Sequence, residues 1–224
     1  MEILKFGAGW LCVNKPRGLL VHPAKGSEDD LLGRVKELLE AQTELAEGVG
    51  WNGQYSPSAV HRLDREVSGA VLIGVDGRIL PQLHRQFEEG TTQKVYRAWC
   101  RRVKSELADE GVWRYPLTRK AEGRSKPAGF HRFRVPCETL YSVLRRNDDK
   151  LELELELKTG RKHQLRRHCA LAGHPIQGDP RYGVEGDDGN LLLHSRYLAF
   201  SDPGHGGRIE VEASLPEGWS ALSS

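Results

Sequence analysis

The chain has 224 residues, which is long enough to bury a sizeable core in one domain. Hydrophobic residues make up 38% and charged residues 29%, a composition that excludes a chain disordered along its whole length. The 33 Lys and Arg residues nearly balance the 31 Asp and Glu residues, so the net charge alone neither indicates nor excludes a polyanionic partner.

The first half of the chain predicts strands and helices in alternation. Trp10 to Asn14 has the composition of a short buried strand. Asp29-Asp30 is suited to cap a helix whose apolar positions from Leu31 to Leu39 share one face. Gly48 to Gly53 spells Gly-x-Gly-x-x-Gly, but no strand precedes it and no helical pattern follows it, so we interpret it as a loop. The other elements predicted here are a strand over Ser68 to Val75, a helix over Leu80 to Phe87 and a strand over Lys94 to Cys100.

The second half of the chain is richer in predicted strands. Leucines and glutamates alternate strictly from Leu151 to Leu157, a pattern that predicts a strand with one buried face and one solvated, acidic face. The other elements predicted here are strands over Glu138 to Leu144, Leu191 to Phe200 and Arg208 to Glu212, and a helix over Lys162 to Ala172. Few strand–helix–strand crossovers are visible. The sequence therefore predicts an α+β fold in a single domain, with a largely antiparallel mixed sheet flanked by helices and loops.

The cysteines and the hydropathy exclude several kinds of site. The four cysteines lie far apart and form no Cys-x-x-Cys pair, which argues against a zinc ribbon and a redox dithiol: Cys12, Cys100, Cys137 and Cys169. We expect them to be buried and reduced. No run approaches the roughly 18 apolar residues of a membrane helix, and the N-terminus does not resemble a signal peptide. We expect a cytoplasmic protein without membrane contact.

Two stretches are rich in ionisable groups. His61 to Gly69 reads His-Arg-Leu-Asp-Arg-Glu-Val-Ser-Gly and lies directly before a predicted strand, where catalytic groups are often found. In the predicted helix after Thr159, Arg166 lies at the border of the apolar face and could reach a partly buried carboxylate. For each stretch taken alone, a solvated charged surface is the more ordinary interpretation. His163 and His168 are five residues apart, which does not fit a helical metal pair.

A third stretch is the strand Lys94 to Trp99, in which alternation places Tyr96 and Ala98 on one face. Tyr96 could offer its ring to a nucleobase. An ordinary core tyrosine is the alternative for an isolated strand.

Taken together, these stretches resemble the RluA-like family of RNA pseudouridine synthases. His61 to Gly69 is similar to the family signature His-Arg-Leu-Asp-x-x-Thr-Ser-Gly, with Val67 in place of threonine. Arg167 stands where a small apolar residue is commoner. The other similar blocks occur in the family's order: Lys15 to Gly18 with His22-Pro23, Lys94 to Ala98, Thr159 to His168, Gly173 to Gly183, and Leu192 to His194. Several ordered blocks are far more specific than any single one.

The resemblance implies the pseudouridine synthase fold and the isomerisation of specific uridines in ribosomal or transfer RNA. It implies Asp64 as the catalytic residue, Tyr96 as the active-site tyrosine and Arg166 as the arginine that pairs with the aspartate. It leaves open whether Asp64 attacks the sugar or removes a ribose proton. It requires no cofactor and no metal. We expect a monomer that consists of the catalytic domain, without an ancillary N-terminal RNA-binding domain.

The residues expected to bind the substrate RNA are His61, Arg62, Leu63, Arg161, Lys162, His163 and Gln164. Of these, Arg62 is expected to fill the space that the extruded uridine leaves, because a planar guanidinium can stack on neighbouring bases. Further basic residues that could hold phosphates are Arg119, Lys120, Arg124, Lys126, Arg132, Arg134 and Arg167.

Two other classes of function compete with this one. A non-catalytic RNA-binding module would keep the basic residues but would have no reason to keep Asp64, an anion in a cationic groove. A glycoside or nucleoside hydrolase would also use an aspartate, but it would normally need a second carboxylate as acid. The hydrolase would release free uracil, whereas the synthase would not.

Overall fold

The computed structural model describes residues 1–23, 29–103, 106–118 and 134–223. Its internal contacts divide the chain into two compact units. The first unit consists of Met1–Gln93 and Ser195–Leu215, and the second of Lys94–His194 and Pro216–Ser224. The expectation of a single catalytic domain stays a prediction.

Strands and helices occur in both units. The strands are β1 (Glu2–Gly7), β2 (Trp10–Lys15), β3 (Ser58–Ala59), β4 (Ser68–Gly74), β5 (Gln93–Arg101), β6 (Glu110–Trp113), β7 (Leu117–Thr118), β8 (Arg134–Val135), β9 (Thr139–Arg146), β10 (Lys150–Leu157), β11 (Leu193–Ser201) and β12 (Arg208–Glu212). The helices are α1 (Leu31–Ala41), α2 (Thr43–Gly48), α3 (Leu80–Glu89) and α4 (Gln164–Ala172), with a 3₁₀-helix at Trp219–Ser223.

In the first unit, β1, β2 and β4 lie side by side in that order, and β3 also pairs with β4. The part of β11 from Ser195 onward lies beside β4 and pairs with β12. The pairings of β1 with β2, β2 with β4, β3 with β4 and β11 with β12 are antiparallel. Trp10 and Phe200 meet edge to face in the core, with ring centroids 5.0 Å apart.

Helix α1 begins where the sequence predicts. The side chain of Asp30 accepts a hydrogen bond of 3.1 Å from the backbone N–H of Gly33, so it caps the helix. Leu31, Val35 and Leu39 form the buried face. Helix α3 has Pro81 in its first turn, where proline removes no helical hydrogen bond, and it ends at Gly90 in the left-handed conformation.

In the second unit, β5, β10, β9 and β6 lie side by side in that order, and β7 pairs with β8. These pairings are also antiparallel. The predicted α+β fold with a largely antiparallel mixed sheet is therefore confirmed. The four cysteines are free and buried, as predicted. Among the helices of the described ranges, none is long and apolar enough to cross a membrane.

The predicted acidic face of the strand at Leu151 to Leu157 is wrong at its first glutamate. Glu152 is fully buried and forms ion pairs with Arg97 and Arg145. It also accepts a hydrogen bond of 2.8 Å from the indole N–H of Trp219. Alternation predicts which face a side chain points to but not what covers that face, and here two arginines and the C-terminal tryptophan cover it.

Helix α4 begins two residues later than predicted, at Gln164. The preceding residue, His163, has φ 54° and ψ 29°, a left-handed conformation that is uncommon outside glycine. The helix ends at Ala172, as predicted, because Gly173 follows with φ 85°.

Candidate active site

Asp64 lies in the loop between Val60 and β4, and the loop is anchored on its N-terminal side. The N–H of Val60 donates to the carbonyl oxygen of Leu72 over 2.9 Å, and the N–H of Leu72 donates to Nε2 of His61 over 3.1 Å. The imidazole also stacks on Phe87 of α3, with centroids 4.8 Å apart and planes at 14°. Because Nε2 accepts, the neutral ring carries its hydrogen on Nδ1. His61 therefore anchors the start of the loop.

The loop is also anchored on its C-terminal side, directly after Asp64. The carbonyl oxygen of Arg65 accepts from the N–H of Gly18 over 2.9 Å and from Nζ of Lys15 over 3.1 Å. In return, Nε of Arg65 donates to the carbonyl oxygen of Gly18 over 2.9 Å. The N–H of Val67 donates to the carbonyl oxygen of Asp64 over 3.1 Å and closes a turn. The backbone on both sides of Asp64 is thus held by neighbouring elements.

Gly69 fixes where the loop joins β4. Its φ is 114°, a region that favours glycine, and a Cβ atom there would lie 2.2 Å from the carbonyl oxygen of Ser195. The glycine of the motif is therefore required by the close approach of β4 and β11.

The side chains of the loop differ in exposure. Asp64 is half-buried, Arg62 is exposed and Leu63 is buried. Burial and the positive charge of Arg62 lower the pKa of His22, although Asp30 opposes this shift. Arg62 and His22 therefore interact electrostatically. Leu63, which was expected to bind RNA, is packed inside the first unit, and its contact with RNA stays a prediction.

Lys15 belongs to a block that resembles the family, but no role was predicted for it; it is fully buried at the end of β2. Its Nζ donates to the carbonyl oxygens of Pro16, Leu19 and Arg65 over 2.9, 2.8 and 3.1 Å. Burial lowers its pKa from the ordinary 10.5 to about 8, and the negative charges of Glu66 and Asp64 oppose part of this shift. A lysine at the end of an apolar strand, followed by a Pro-x-Gly turn, is the sequence signal that could have found it.

Tyr96 lies in β5 of the second unit and is buried, opposite Leu155 of β10. Burial lowers the pKa of Lys94 on the same strand. The strand around Tyr96 is thus largely shielded from solvent.

Arg166 lies in α4 and is buried, with Asp179 as its carboxylate partner inside the second unit. Nε and Nη2 of Arg166 each donate to one carboxylate oxygen of Asp179 over 2.8 Å. The same carboxylate accepts from the backbone N–H groups of Arg181 and Tyr182 over 2.8 and 3.0 Å. Burial alone would raise the pKa of Asp179, but the hydrogen bonds and charge of Arg166 outweigh it and hold that pKa below its usual value.

Arg166 thus binds a fully buried carboxylate, that of Asp179, a residue for which no role was predicted. The signal that could have found it is the Gly-Asp-Pro block, whose aspartate follows the helix. The predicted pairing of Arg166 with Asp64 involves residues of different units and stays a prediction.

The other residues expected to bind RNA near α4 fall into two groups. Arg161 and Lys162 are exposed. Gln164 is buried, and its amide accepts from the hydroxyl of Thr159 and the N–H of Arg161 and donates to Glu138 and Thr139. Nδ1 of His163 lies 3.1 Å from the hydroxyl of Tyr182. Gln164 thus shapes the start of the helix, and RNA binding by any of these side chains stays a prediction.

The basic residues expected to hold phosphates are only partly described. Arg134 is exposed. Arg167 is instead buried, and its guanidinium donates to the carbonyl oxygen and hydroxyl of Thr118 over 3.1 and 2.9 Å. The remaining members lie outside the described residues: Arg119, Lys120, Arg124, Lys126 and Arg132. Within the described ranges, no group of three or more His, Cys, Asp or Glu side chains could hold a metal ion.

The fold is similar to two solved structures of human pseudouridylate synthase domains. Human RNA pseudouridylate synthase domain containing 4 matches with a TM-score of 0.76 and 22% identity, covering 98% of this chain and 90% of that one. Domain containing 1 matches with a TM-score of 0.72 and 21% identity, covering 100% of this chain and 86% of that one. The fold is therefore that of a pseudouridine synthase.

The sequence comparisons agree with the fold. Residues 9–171 match the family model described as RNA pseudouridylate synthase. An uncharacterized RNA pseudouridine synthase of Bacillus subtilis is 35% identical over 214 residues, which cover 95% of this chain and 68% of the relative. The tRNA pseudouridine synthase C of Haemophilus ducreyi is 32% identical over 242 residues, covering 99% of this chain and 94% of the relative.

A third relative is the ribosomal large subunit pseudouridine synthase D of Zymomonas mobilis, which is 30% identical over 239 residues, covering 99% of this chain and 71% of the relative. The chain belongs to the RNA pseudouridylate synthase family and is a pseudouridine synthase, an isomerase. The predicted membership of the RluA-like group is confirmed.

Proposed function

We propose that this enzyme isomerises specific uridines in ribosomal or transfer RNA, with Asp64 as its catalytic carboxylate. The names of the relatives that act on transfer RNA and on the large ribosomal subunit support the substrate class. The cytoplasmic location and the monomeric state stay predictions.

The observation that carries the proposal is the geometry of the Asp64 loop. Its backbone is anchored by His61 on one side and by Lys15 and Gly18 on the other, while the carboxylate between these anchors stays only half-buried. A catalytic group needs both properties, because its position must be fixed and its oxygen atoms must reach the substrate. A loop held together by surface ion pairs alone would not need buried anchors.

The reaction breaks the bond between N1 of uracil and C1′ of ribose and forms a bond between C5 and C1′. N1 gains a proton and C5 loses one, so no oxidant or reductant is consumed. Asp64 must be ionised, whether it attacks the sugar as a nucleophile or removes a ribose proton as a base.

Two further side chains are assigned roles on the substrate. Tyr96, which is buried, is proposed to stack on the uracil and to assist proton transfer at C5. A uridine stacked in RNA must first be extruded, at a free-energy cost of a few kcal/mol. Arg62 is exposed and lies two residues before Asp64 in the sequence, which suits it to fill the vacated space.

The experiment is Asp64→Asn, which keeps the size of the side chain and removes its charge. We expect release of tritium from RNA labelled at C5 of uridine to fall by at least about 1000-fold, as expected for the loss of a principal catalytic group. The circular dichroism spectrum and the urea midpoint should stay unchanged, because none of the loop anchors described above involves the carboxylate of Asp64.

The matched control is Glu66→Gln, two residues along the same loop, which also removes one negative charge from a partly buried side chain. This variant should keep its activity at pH 6, well below the pKa of about 8 of the neighbouring Lys15, which the charge of Glu66 raises. Substantial turnover by Asp64→Asn, or equal losses in both variants, would contradict the proposal. Free uracil among the products would indicate the hydrolase instead.

A further inference from the structure

Lys15 has an unusual environment for a lysine. Its side chain is fully buried, and its Nζ donates to three backbone carbonyl oxygens. An ammonium group has three hydrogens, so every donor of the charged form is used. Two acceptors, Pro16 and Leu19, belong to the turn after β2. The third acceptor is Arg65, the residue directly after Asp64.

We infer that Lys15 is a positioning residue for Asp64, and that its protonated ammonium is the form that holds the Asp64 loop in its active geometry. The inference rests on the proposed role of Asp64. Lys15 acts through the backbone of Arg65 and is assigned no contact with the substrate.

The protonation state decides how many carbonyl oxygens Lys15 can hold. A neutral amine has two hydrogens and a lone pair, so one of the three carbonyl oxygens would lose its hydrogen bond and face the lone pair. The bond to Arg65 is the longest of the three, at 3.1 Å. The carbonyl oxygen of Arg65 would still accept from the N–H of Gly18 over 2.9 Å. Deprotonation is therefore expected to loosen the loop without unfolding the protein.

The charged groups around Lys15 come from two segments. The Asp64 loop contributes Asp64 and Glu66, whose negative charges favour the protonated form, and also Arg65, whose Nε is bound to Gly18. The turn contributes the exposed Arg17, and the residue paired with Lys15 in β4 is Gly69, which carries no charge. Burial outweighs the two carboxylates and lowers the pKa of Lys15 to about 8. The ammonium therefore loses its proton in a pH range that an activity assay can reach.

The experiment compares kcat and KM from pH 6 to pH 10 by tritium release for the wild type, Lys15→Met and Lys36→Met. Lys36 is an exposed lysine of α1 in the same unit, so its variant controls for the loss of one positive charge. We expect kcat of the wild type and of Lys36→Met to fall above about pH 8, by tenfold for each pH unit, with little change in KM.

Lys15→Met is expected to have a kcat reduced at least tenfold at pH 7 and no decrease near pH 8. Titration of the RNA itself affects all three proteins equally and cancels in the comparison. A merely structural role of Lys15 would lower kcat without abolishing the pH dependence. The inference is overturned if kcat of the wild type stays constant up to pH 10. It is also overturned if kcat of Lys15→Met still decreases near pH 8.

If Lys15→Met fails to fold, measurements on the wild type alone still test the inference. The Lys15 Cε resonance is then followed by carbon NMR over the same pH range, and its midpoint must coincide with the midpoint of the kcat profile. Different midpoints overturn the inference. Asp64→Asn in the same assay tests the proposed function separately. If Asp64→Asn is inactive while kcat of the wild type does not change with pH, only the role of Lys15 is overturned.

Discussion

Lys15 in the first unit and Arg166 in the second are both buried cations, but their partners differ. Lys15 donates to three neutral carbonyl oxygens, whereas Arg166 donates twice to the carboxylate of Asp179. Carbonyl dipoles compensate a buried charge less fully than a carboxylate does. For Lys15 burial therefore dominates and lowers the pKa to about 8, while Arg166 and Asp179 stay charged together.

This difference separates the two units by their response to pH. A guanidinium keeps its charge throughout the physiological range, so the start of α4 is held by an ion pair that only strong acid disturbs. The Asp64 loop is instead held by a lysine that titrates a little above neutral pH. We therefore expect the alkaline limit of activity to arise in the first unit and the acid limit of stability to include Asp179 of the second.

The largest effect is expected when the ion pair of the second unit is broken from one side. Asp179→Asn removes the negative charge that binds the buried guanidinium of Arg166, and removing one partner of a buried pair typically costs about 3–5 kcal/mol of unfolding free energy. Asn can replace only part of the hydrogen bonding, because its NH₂ group cannot accept and leaves either Nε of Arg166 or the two backbone N–H groups without an acceptor. Urea unfolding at pH 7 measures the loss.

The chain offers a matched control for this variant in the exposed pair of Arg146 and Asp109. It has the same distance of 2.8 Å, but 91% of the Asp109 side chain is exposed. Asp109→Asn should cost less than about 1 kcal/mol. Similar losses in the two variants would show that burial does not set the strength of these pairs and would remove the basis of the comparison.

The contribution of Asp179 also has a defined pH dependence. Its pKa in the folded protein is lowered, so its stabilisation is present above the pKa of the unfolded chain and is lost as the pH falls through the lowered value. The stability difference between the wild type and Asp179→Asn should therefore shrink in acid.

Lys15 is expected to affect stability in the opposite pH direction and by a smaller amount. Its folded pKa of about 8 lies below the ordinary 10.5, so the folded protein binds fewer protons than the unfolded chain between these values. Stability then rises with pH in that window, because the penalty for burying the charge fades. Relative to Lys15→Met, the wild type should gain on the order of 2 kcal/mol in unfolding free energy between pH 7.5 and pH 10.

Urea unfolding of both proteins at the two pH values tests this expectation, since every other titrating group cancels in the difference. A difference that stays constant would mean that Lys15 has an unshifted pKa. A difference that decreases would mean that its pKa is raised by a carboxylate, as for an ordinary ion-paired lysine.

The sequence predicted the elements whose patterns are local. The cap at Asp30 and the apolar face from Leu31 to Leu39 follow from residues within one helix, and both are confirmed. The sequence failed where distant segments supply the environment. Glu152 was predicted to be solvated, yet Arg97 and Arg145 of the neighbouring strands bury it.

The same distinction applies to the candidate site. The motif around Asp64 could be found in the sequence because its residues are contiguous. Local motifs could have drawn attention to Lys15 and Asp179, but their partners could not be predicted, because Lys15 binds a carbonyl oxygen 50 residues away and Asp179 binds an arginine 13 residues away. Hydrogen bonds to a backbone leave no signature in the sequence of the acceptor. His163 was predicted inside the helix, but it has a left-handed conformation just before the helix, and its ring contacts Tyr182, 19 residues later in the chain.

The smallest effect is expected at Tyr182, which contacts the ion pair of the second unit without belonging to it. Its ring centroid lies 5.3 Å from the guanidinium carbon of Arg166, and its hydroxyl lies 3.1 Å from Nδ1 of His163. Tyr182→Phe keeps the ring beside the cation and removes only the hydroxyl. Because His163 is half-buried, water can replace the lost hydrogen bond in part, and the loss in unfolding free energy should be about 1 kcal/mol.

Tyr182→Ala is the companion variant, because it removes the ring as well. It should cost more unfolding free energy than Tyr182→Phe by at least the cation–π contribution of about 1 kcal/mol.

If Arg166 is held chiefly by Asp179, the loss in unfolding free energy caused by Asp179→Asn should be nearly the same in the wild-type and Tyr182→Phe backgrounds. A double-mutant cycle in urea measures this coupling. A coupling energy as large as the effect of Asp179→Asn itself would mean that the carboxylate of Asp179 is not sufficient to position Arg166. The hydroxyl of Tyr182, acting through His163, would then be needed as well.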